Sequence, residues 1–493
     1  MIIKPKSQKW NKIVTDMIVL FVSEEGWEKE VAEVNKDVSG ELTRFLKSEQ
    51  FEAKMGKSIH FTPHTKTLTR NLLIIGTGKQ KEVNLAVLRK LAAQAGKQSK
   101  EAKRRSVTVL ITLPLFYPFA TDEVAKTLTE GLILGTYAFE KYKTTHETKD
   151  SYPTEAILLT HPSKLQHAIN GIKLGEIYGK ATCFTRDLVN EPPAVTTPTY
   201  LAQIAKSLVK RGEVRVEILD QAGAAKFGMN AYLAVAKGSD EPPKFIRLIY
   251  NGGPRKIALI GKAITFDTGG LQIKDAKNME TMKIDMSGAA AVLGVFSVLP
   301  QIKPKYTVIG IIPACENMPG PKAFKPGDIV TSLSGKTIEI LNTDAEGRVT
   351  LADALSYALK EKPEYVVDLA TLTGACMVAL GEDIAGLFSN NETLKTKITE
   401  AAKNEGEEVW PLPLSEIYRE SIKSDIADVR NIAKTRYGGA ITAALFLEEF
   451  VEKIPWAHLD IAGPAYQEKN TALIPKGGSG YGVRMLLDLI SHL

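Results

Sequence analysis

The sequence predicts an α/β protein. It comprises a smaller N-terminal α/β domain with a mostly parallel sheet over residues 1–155, a long linking helix over 156–190, and a larger C-terminal α/β domain with a central mixed sheet over 191–493. Three observations carry this expectation. Short β-rich runs alternate with amphipathic helical patterns along the whole chain, the pattern of helices layered on a sheet. The strand-like runs are continuously apolar rather than alternating, as expected of strands buried on both faces. A polar, Thr-rich stretch, "KYKTTHETKDSYPTE", breaks that rhythm near residues 142–155, and an uninterrupted helical pattern follows it.

Taken in order, "DMIVLFV", "NLLIIGTG", "SVTVLITL" and "EAILLT" read as buried parallel strands of the first domain. Between the second and third lies a basic run over 97–105, five Lys or Arg in nine positions, which reads first as a solvated helix face and second as a nucleic-acid contact. The linking pattern is "KLQHAINGIKLGEIYGKATCFTRDLVN", and Pro192, Pro193 and Pro198 end it and restart a helix. Strands then recur as "VRVEIL", "FIRLIY", "KIALIG", "YTVIGIIP", "TIEIL", "YVVDLA" and "WAHLDIAG". No internal repeat or low-complexity tract interrupts them.

Composition excludes several classes. With 493 residues, 44% hydrophobic and 24% charged, the chain is an ordinary globular protein with ample core. A net charge of +6, from 63 basic and 57 acidic residues, does not by itself call for nucleic acid or a membrane surface. Three scattered cysteines, Cys183, Cys315 and Cys376, are too few for a disulfide framework or a thiolate zinc site and read as buried thiols in a reducing compartment. The apolar run Met17–Val22 is too short for a signal segment and reads as a strand; no stretch reaches the ~20 apolar residues of a bilayer span. The expected location is the cytoplasm, with no membrane partner.

Three stretches of the second half carry acids at strand ends, where open α/β sheets place their sites. "KIALIGKAITFDTGGLQIK" holds Lys262, Asp267 and Lys274; "METMKIDMSGAAAVLG" holds Asp285 ahead of a run of small residues; "NTDAEGR" holds Asp344, Glu346 and Arg348. On an extended backbone the last three would point to one side. The glycine pair of "FDTGG" lets the backbone pass close to a neighbour, and "SGAAA" lets a helix pack tightly on the sheet. Singly, each acid reads as a cap or turn residue and each lysine as a surface charge. Together, four converging carboxylates would repel one another unless cations sit between them. A pair of divalent ions ~3.5–4 Å apart, activating water for hydrolysis, meets that need. Zn²⁺ and Mn²⁺ both accept carboxylate-rich sites. Of seven histidines only His458 and His492 lie beyond residue 167, so a His-ligated zinc site is not expected.

Competing motifs fail. "SLSGKT" ends in Gly335-Lys336-Thr337, but Val330 stands where a phosphate-binding loop needs Gly. "GGSGYG" has Tyr481 where a nucleophile elbow needs its last Gly.

"NTDAEGRVTLADAL", "GKAITFDTGGLQIK", "MKIDMSGAAAV", "DLATLTGA" and "RDLVNEPP" closely resemble, in order over residues 186–463, the leucyl (cytosol) aminopeptidases, two-metal exopeptidases that release N-terminal amino acids. The resemblance implies that Lys262, Asp267, Asp285, Asp344 and Glu346 are metal ligands for two Mn²⁺ or Zn²⁺ ions. Asp267 and Glu346 would bridge, Asp344 would serve one ion, and Lys262 and Asp285 the other. It implies that Lys274 stabilises the oxyanion and that Arg348 holds a bicarbonate acting as general base. Met282, Thr371, Leu372, Gly374 and Ala462 match positions lining the pocket for the first side chain, although Met282 and Leu372 alone would read as core. The implied architecture is a small N-terminal domain, a linking helix and a larger catalytic domain, assembled as a homohexamer acting on peptides. Ala263, Thr268 and Asp275 depart from the family pattern, and Asp275 puts an extra negative charge next in sequence to Lys274. The competing reading is a nucleic-acid-binding or regulatory role through the basic run, and a third is a metal-free structural hexamer.

Overall fold

Unbroken apolar runs set the first sheet. In the computed structural model, which describes residues 1–64, 71–144, 153–209 and 213–493, these are β1 (Ile2–Lys6), β2 (Met17–Val22), β3 (Ser58–Phe61), β4 (Leu72–Gly76), β5 (Ser106–Leu110) and β6 (Glu155–Leu159). Among the described residues they form a six-stranded sheet in the order β1-β6-β5-β2-β4-β3. Every pairing is parallel except β3 with β4. The four strands expected from sequence occupy the middle and are buried nearly throughout. The two unexpected ones are edges, where a proline and lysines in "IIKPK" and the short "SIHF" are tolerated because one side of the ladder is unpaired.

The basic run does not form one face. It ends the helix Leu85–Glu101 and leads into β5. Lys97 and Lys100 are half-buried, Arg104 donates to Asn71 Oδ1 at 3.2 Å, and Lys103 and Arg105 are exposed. Most of the Thr-rich boundary stretch lies outside the described residues. The long helix expected over 156–190 begins only at Leu165 and runs to Asn190, because Glu155–Leu159 pairs into the sheet as β6. The chain divides into two compact units, Met1–Lys180 with Lys469–Pro475, and Ala181–Glu468 with Lys476–Leu493, so the division falls within that helix.

The second unit is built on a nine-stranded mixed sheet. Its strands are β7 (Val214–Leu219), β8 (Lys244–Tyr250), β9 (Lys256–Gly261), β10 (Ile264–Asp267), β11 (Thr307–Asn317), β14 (Tyr365–Ala370), β15 (Ala385–Ser389), β16 (Val409–Pro411) and β18 (Trp456–Asp460). The order is β16-β15-β18-β14-β9-β11-β8-β7, with β10 paired to β11. β9 lies between β14 and β11, parallel to both, and β14 is parallel to β18, so several C-terminal strand ends open on one side. The helix Ser287–Phe296 is buried along its whole length. A Cβ on Gly288 would stand 2.1 Å from the Leu369 carbonyl oxygen, so only glycine permits this approach to β14.

β12 (Ile329–Thr331), β13 (Thr337–Glu339) and β17 (Val429–Arg430) form a separate three-stranded sheet. Here one expectation is corrected. "TIEIL" is not a buried central strand: its residues alternate between half-buried and buried, and the strand stops at Glu339. Asp344, Glu346 and Arg348 therefore do not share an extended backbone; Asp344 lies in a turn, and Glu346 and Arg348 lie in the first turn of the helix Glu346–Leu359. The turn forms because Asn342 Oδ1 accepts the Asp344 amide at 2.8 Å, a local bond that competes with strand pairing. No helix among the described residues is long and apolar enough to cross a membrane.

Candidate active site

Lys262 follows β9 directly and is buried. Its Nζ lies 2.7 Å from Asp285 Oδ1 and 3.0 Å from Glu346 Oε1, and donates to the Thr371 carbonyl at 2.9 Å. It fits because residue 347 is glycine: a Cβ there would stand 2.3 Å from Lys262 Cε. Asp285 follows the short helical turn Met282–Ile284 and accepts the Thr371 hydroxyl at 2.7 Å on the oxygen that also meets Lys262.

Asp267 ends β10. Its Oδ1 accepts Asn317 Nδ2 at 2.8 Å and the Gly269 amide at 2.9 Å, while Lys274 Nζ lies 2.8 Å from Oδ2. Gly269 turns the chain at φ +86°, and a side chain there would press on Asp344 Oδ1. Lys274 also pairs with Asp344. Ligand oxygens of Asp267, Asp344 and Glu346 all lie within 4.8 Å of one another.

The charges do not balance. Four carboxylates share two ammonium groups. Burial pushes Asp285, Glu346 and Asp344 above the ordinary carboxylate range, with neighbouring acids adding to the effect. Burial works against the charge on Lys262 and Lys274 too, but the surrounding carboxylates outweigh it and hold both lysines protonated. Even so, the buried Asp285 Oδ2 and Glu346 Oε2 have no hydrogen-bond partner among the described residues. Orphaned acceptors of this kind cost free energy unless a cation meets them. A set of hard carboxylate oxygens with one amine suits divalent cations, so the residues fit such ions.

Arg348 is buried, and burial pushes its pKa down to about 10 against the opposing charges of Glu346 and Asp460. One terminal nitrogen donates to the Asn431 carbonyl at 2.9 Å, while Nε has no partner among the described residues. Asp275, next to Lys274 in sequence, caps the following helical turn, its carboxylate accepting the Asn278 amide at 2.9 Å and side-chain amide at 2.6 Å.

The cluster heads a cleft of about 1160 Å³. Met282, Thr371, Leu372, Gly374 and Ala462 all line it, as do Lys262, Asp267, Lys274, Asp285, Asp344 and Glu346; Arg348 is not among the lining residues and lies in the first turn of its helix. The cysteines take no part: Cys315 and Cys376 are buried as expected but Cys183 is half-buried, and desolvation pushes Cys183 up to about 11, Cys376 up to about 12 and Cys315 well above the usual thiol range.

Three supporting residues escaped sequence reasoning. Asn317, last in β11, joins Asp267 to the Thr343 carbonyl, which it reaches at 3.0 Å. Asn431 accepts the Leu341 amide at 2.8 Å and donates to the Asn342 carbonyl at 2.6 Å, so it shapes the acidic turn. Asp460 binds the loop after β14. The only sequence signal was a polar residue closing an apolar strand at Asn317 and Asp460.

Residues 183–487 match the cytosol aminopeptidase family, catalytic domain, and residues 18–146 match its N-terminal domain. The chain is 42% identical over 487 residues to a probable cytosol aminopeptidase of Sulfurihydrogenibium sp., covering 97% of this chain and 96% of that protein. It is 44% identical over 481 residues to one of Aquifex aeolicus, covering 96% and 94%. Among solved structures, a mutant of tomato leucine aminopeptidase superposes with a TM-score of 0.90 at 34% identity, covering 100% of this chain and 97% of that one. The bottromycin maturation enzyme BotP in complex with Mn gives 0.85 at 32% identity, covering 97% and 99%. The chain belongs to the cytosol aminopeptidase family and is a hydrolase of the aminopeptidase type.

Proposed function

We propose that this chain is a metallo-exopeptidase that hydrolyses the first peptide bond of peptides and prefers leucine and similar apolar residues at the first position. One observation carries the reading. Four carboxylates and two lysines converge at the head of a cleft with too little positive charge, leaving buried Asp285 and Glu346 oxygens without partners among the described residues. Lys262, Asp267, Asp285, Asp344 and Glu346 would hold two divalent cations, which when bound supply an activated water and polarise the scissile carbonyl. Mn²⁺ and Zn²⁺ both suit these donors, and the Mn complex of BotP supports the former.

Lys262 would give up its proton on loading, held in place by the Thr371 carbonyl. Lys274, on the cleft wall, would donate to the attacked carbonyl oxygen and stabilise the negative charge that builds there. Arg348, whose Nε has no partner among the described residues, would hold a bicarbonate in its planar fork, a group that would supply a general base there. Met282, Leu372, Gly374 and Ala462, with Thr371, would receive the first side chain. By family likeness the assembly would be a homohexamer of the cytoplasm.

Leucine p-nitroanilide hydrolysis by protein stripped with a chelator and then reloaded tests the reading. Activity should vanish on stripping and return with Mn²⁺ or Zn²⁺. Undiminished activity after stripping, with no metal left by elemental analysis, would overturn it.

A further inference from the structure

The turn leaving β14 serves the cleft in two ways at once. On one side the Thr371 carbonyl takes Lys262 Nζ at 2.9 Å and the Thr371 hydroxyl donates to Asp285 Oδ1 at 2.7 Å. On the other, Leu372 and Gly374 line the cleft, with Ala462 also on its wall. One buried carboxylate fixes both. Asp460 closes β18 opposite Ala370, the last residue of β14, so the two parallel strands end level. Asp460 Oδ1 accepts the amides of Leu372 at 3.1 Å, Ala462 at 3.2 Å and Thr373 at 3.4 Å, and Oδ2 accepts the Thr373 hydroxyl at 2.6 Å. The Thr373 hydroxyl in turn accepts the Cys376 amide at 3.0 Å and so starts the helix Gly374–Leu380.

Three of these four donors meet Oδ1 and one meets Oδ2, so both carboxylate oxygens are engaged. Bonds to an ionised acceptor are about twice as strong as neutral ones, so the turn is held more firmly than backbone pairing alone would hold it. An amide of the same shape could accept on one oxygen only, and its NH₂ would face the Thr373 hydroxyl.

We propose that Asp460 is a positioning residue for substrate selection: it locks the wall that meets the first side chain to the Lys262–Asp285 pair. The inference rests on the aminopeptidase reading above. A leucine side chain gains contact with a wall held in register with Lys262 and Asp285, and a methyl forgoes that contact, so the advantage of leucine lasts only while the turn is held in place. Selectivity therefore depends on the carboxylate as well as on the residues that touch the side chain.

The test compares kcat/KM for leucine and alanine p-nitroanilides in Mn²⁺-loaded wild type, Asp460→Asn, Thr373→Val and Thr373→Ser. The leucine-to-alanine ratio should fall by about tenfold or more in Asp460→Asn and Thr373→Val, the order of discrimination that a shaped apolar pocket supplies. Thr373→Ser, which keeps the hydroxyl, should restore the ratio lost in Thr373→Val. A purely structural role would lower both substrates by one common factor, and an unchanged ratio in Thr373→Val overturns the inference. That variant decides the matter even where Asp460→Asn does not fold, because it leaves the carboxylate and its amide donors in place. A metal-loaded wild type that cleaves neither substrate would instead overturn the underlying reading.

Discussion

Asp344 and Asn317 illustrate two ways in which a side chain serves the carboxylate cluster. Asp344 offers its oxygens to the centre, in company with Asp267 and Glu346. Asp344→Asn should therefore lose bound metal and hydrolysis together, measured by elemental analysis and leucine p-nitroanilide turnover; full activity in that variant would remove Asp344 from the set. Asn317 acts one step back, donating to Asp267 Oδ1 and to the Thr343 carbonyl. Asn317→Ala leaves those acceptors short of a donor, so metal affinity should weaken by roughly 10–100-fold, as for other partners of metal ligands. Competition against a metal-sensing dye would measure it. Sequence alone exposes the first kind of residue and hides the second. Lys262, Asp267, Asp285, Asp344 and Glu346 are visible because charges beside glycines and strand ends are out of place in an apolar context. Asn317, Asn431 and Asp460 do not stand out, since their work depends on amides and carbonyls brought to them from 26 to 90 residues away.

At the scale of elements, the helix Glu346–Leu359 carries a titrating group apart from the cluster. Asp353 is buried, and its carboxylate accepts the Tyr232 amide at 2.8 Å and the Leu333 amide at 2.7 Å. Burial pushes its pKa up to about 7 despite those bonds. A carboxyl that binds its proton more tightly when folded adds stability that is fully present below ~4, where unfolded aspartate titrates, and lost as pH rises through about 7. Urea midpoints between pH 5 and 8 should show this fall, and Asp353→Asn should flatten it; an unaltered slope would contradict the assignment. Packing makes a separate prediction: Gly288→Ala pushes a methyl against the Leu369 carbonyl and should cost about 1–3 kcal/mol in urea unfolding. The small-residue run that opens that helix announced the close approach, and the apolar strands announced themselves by composition. β13 did not, because its alternation is visible only as burial, and the Asx turn at Asn342 follows its end.

Over the whole molecule, the two α/β units were legible as a change in rhythm followed by a long helix. The division inside Leu165–Asn190 and the return of Lys469–Pro475 to the first unit were not, since neither is marked by a change in composition or periodicity. Metal loading should raise the thermal midpoint, because ions that bind only the folded chain add about 2.7 kcal/mol at a hundred times their dissociation constant. Scanning calorimetry with and without Mn²⁺ reads that shift. The central claim is that the carboxylates of the second unit enclose a pair of divalent cations. Anomalous diffraction from crystals grown with Mn²⁺ tests it most directly. Two peaks ~3.5–4 Å apart among Lys262, Asp267, Asp285, Asp344 and Glu346 are predicted. A cluster without anomalous density, its lysines still bridging the acids while Mn²⁺ binds elsewhere, would contradict it.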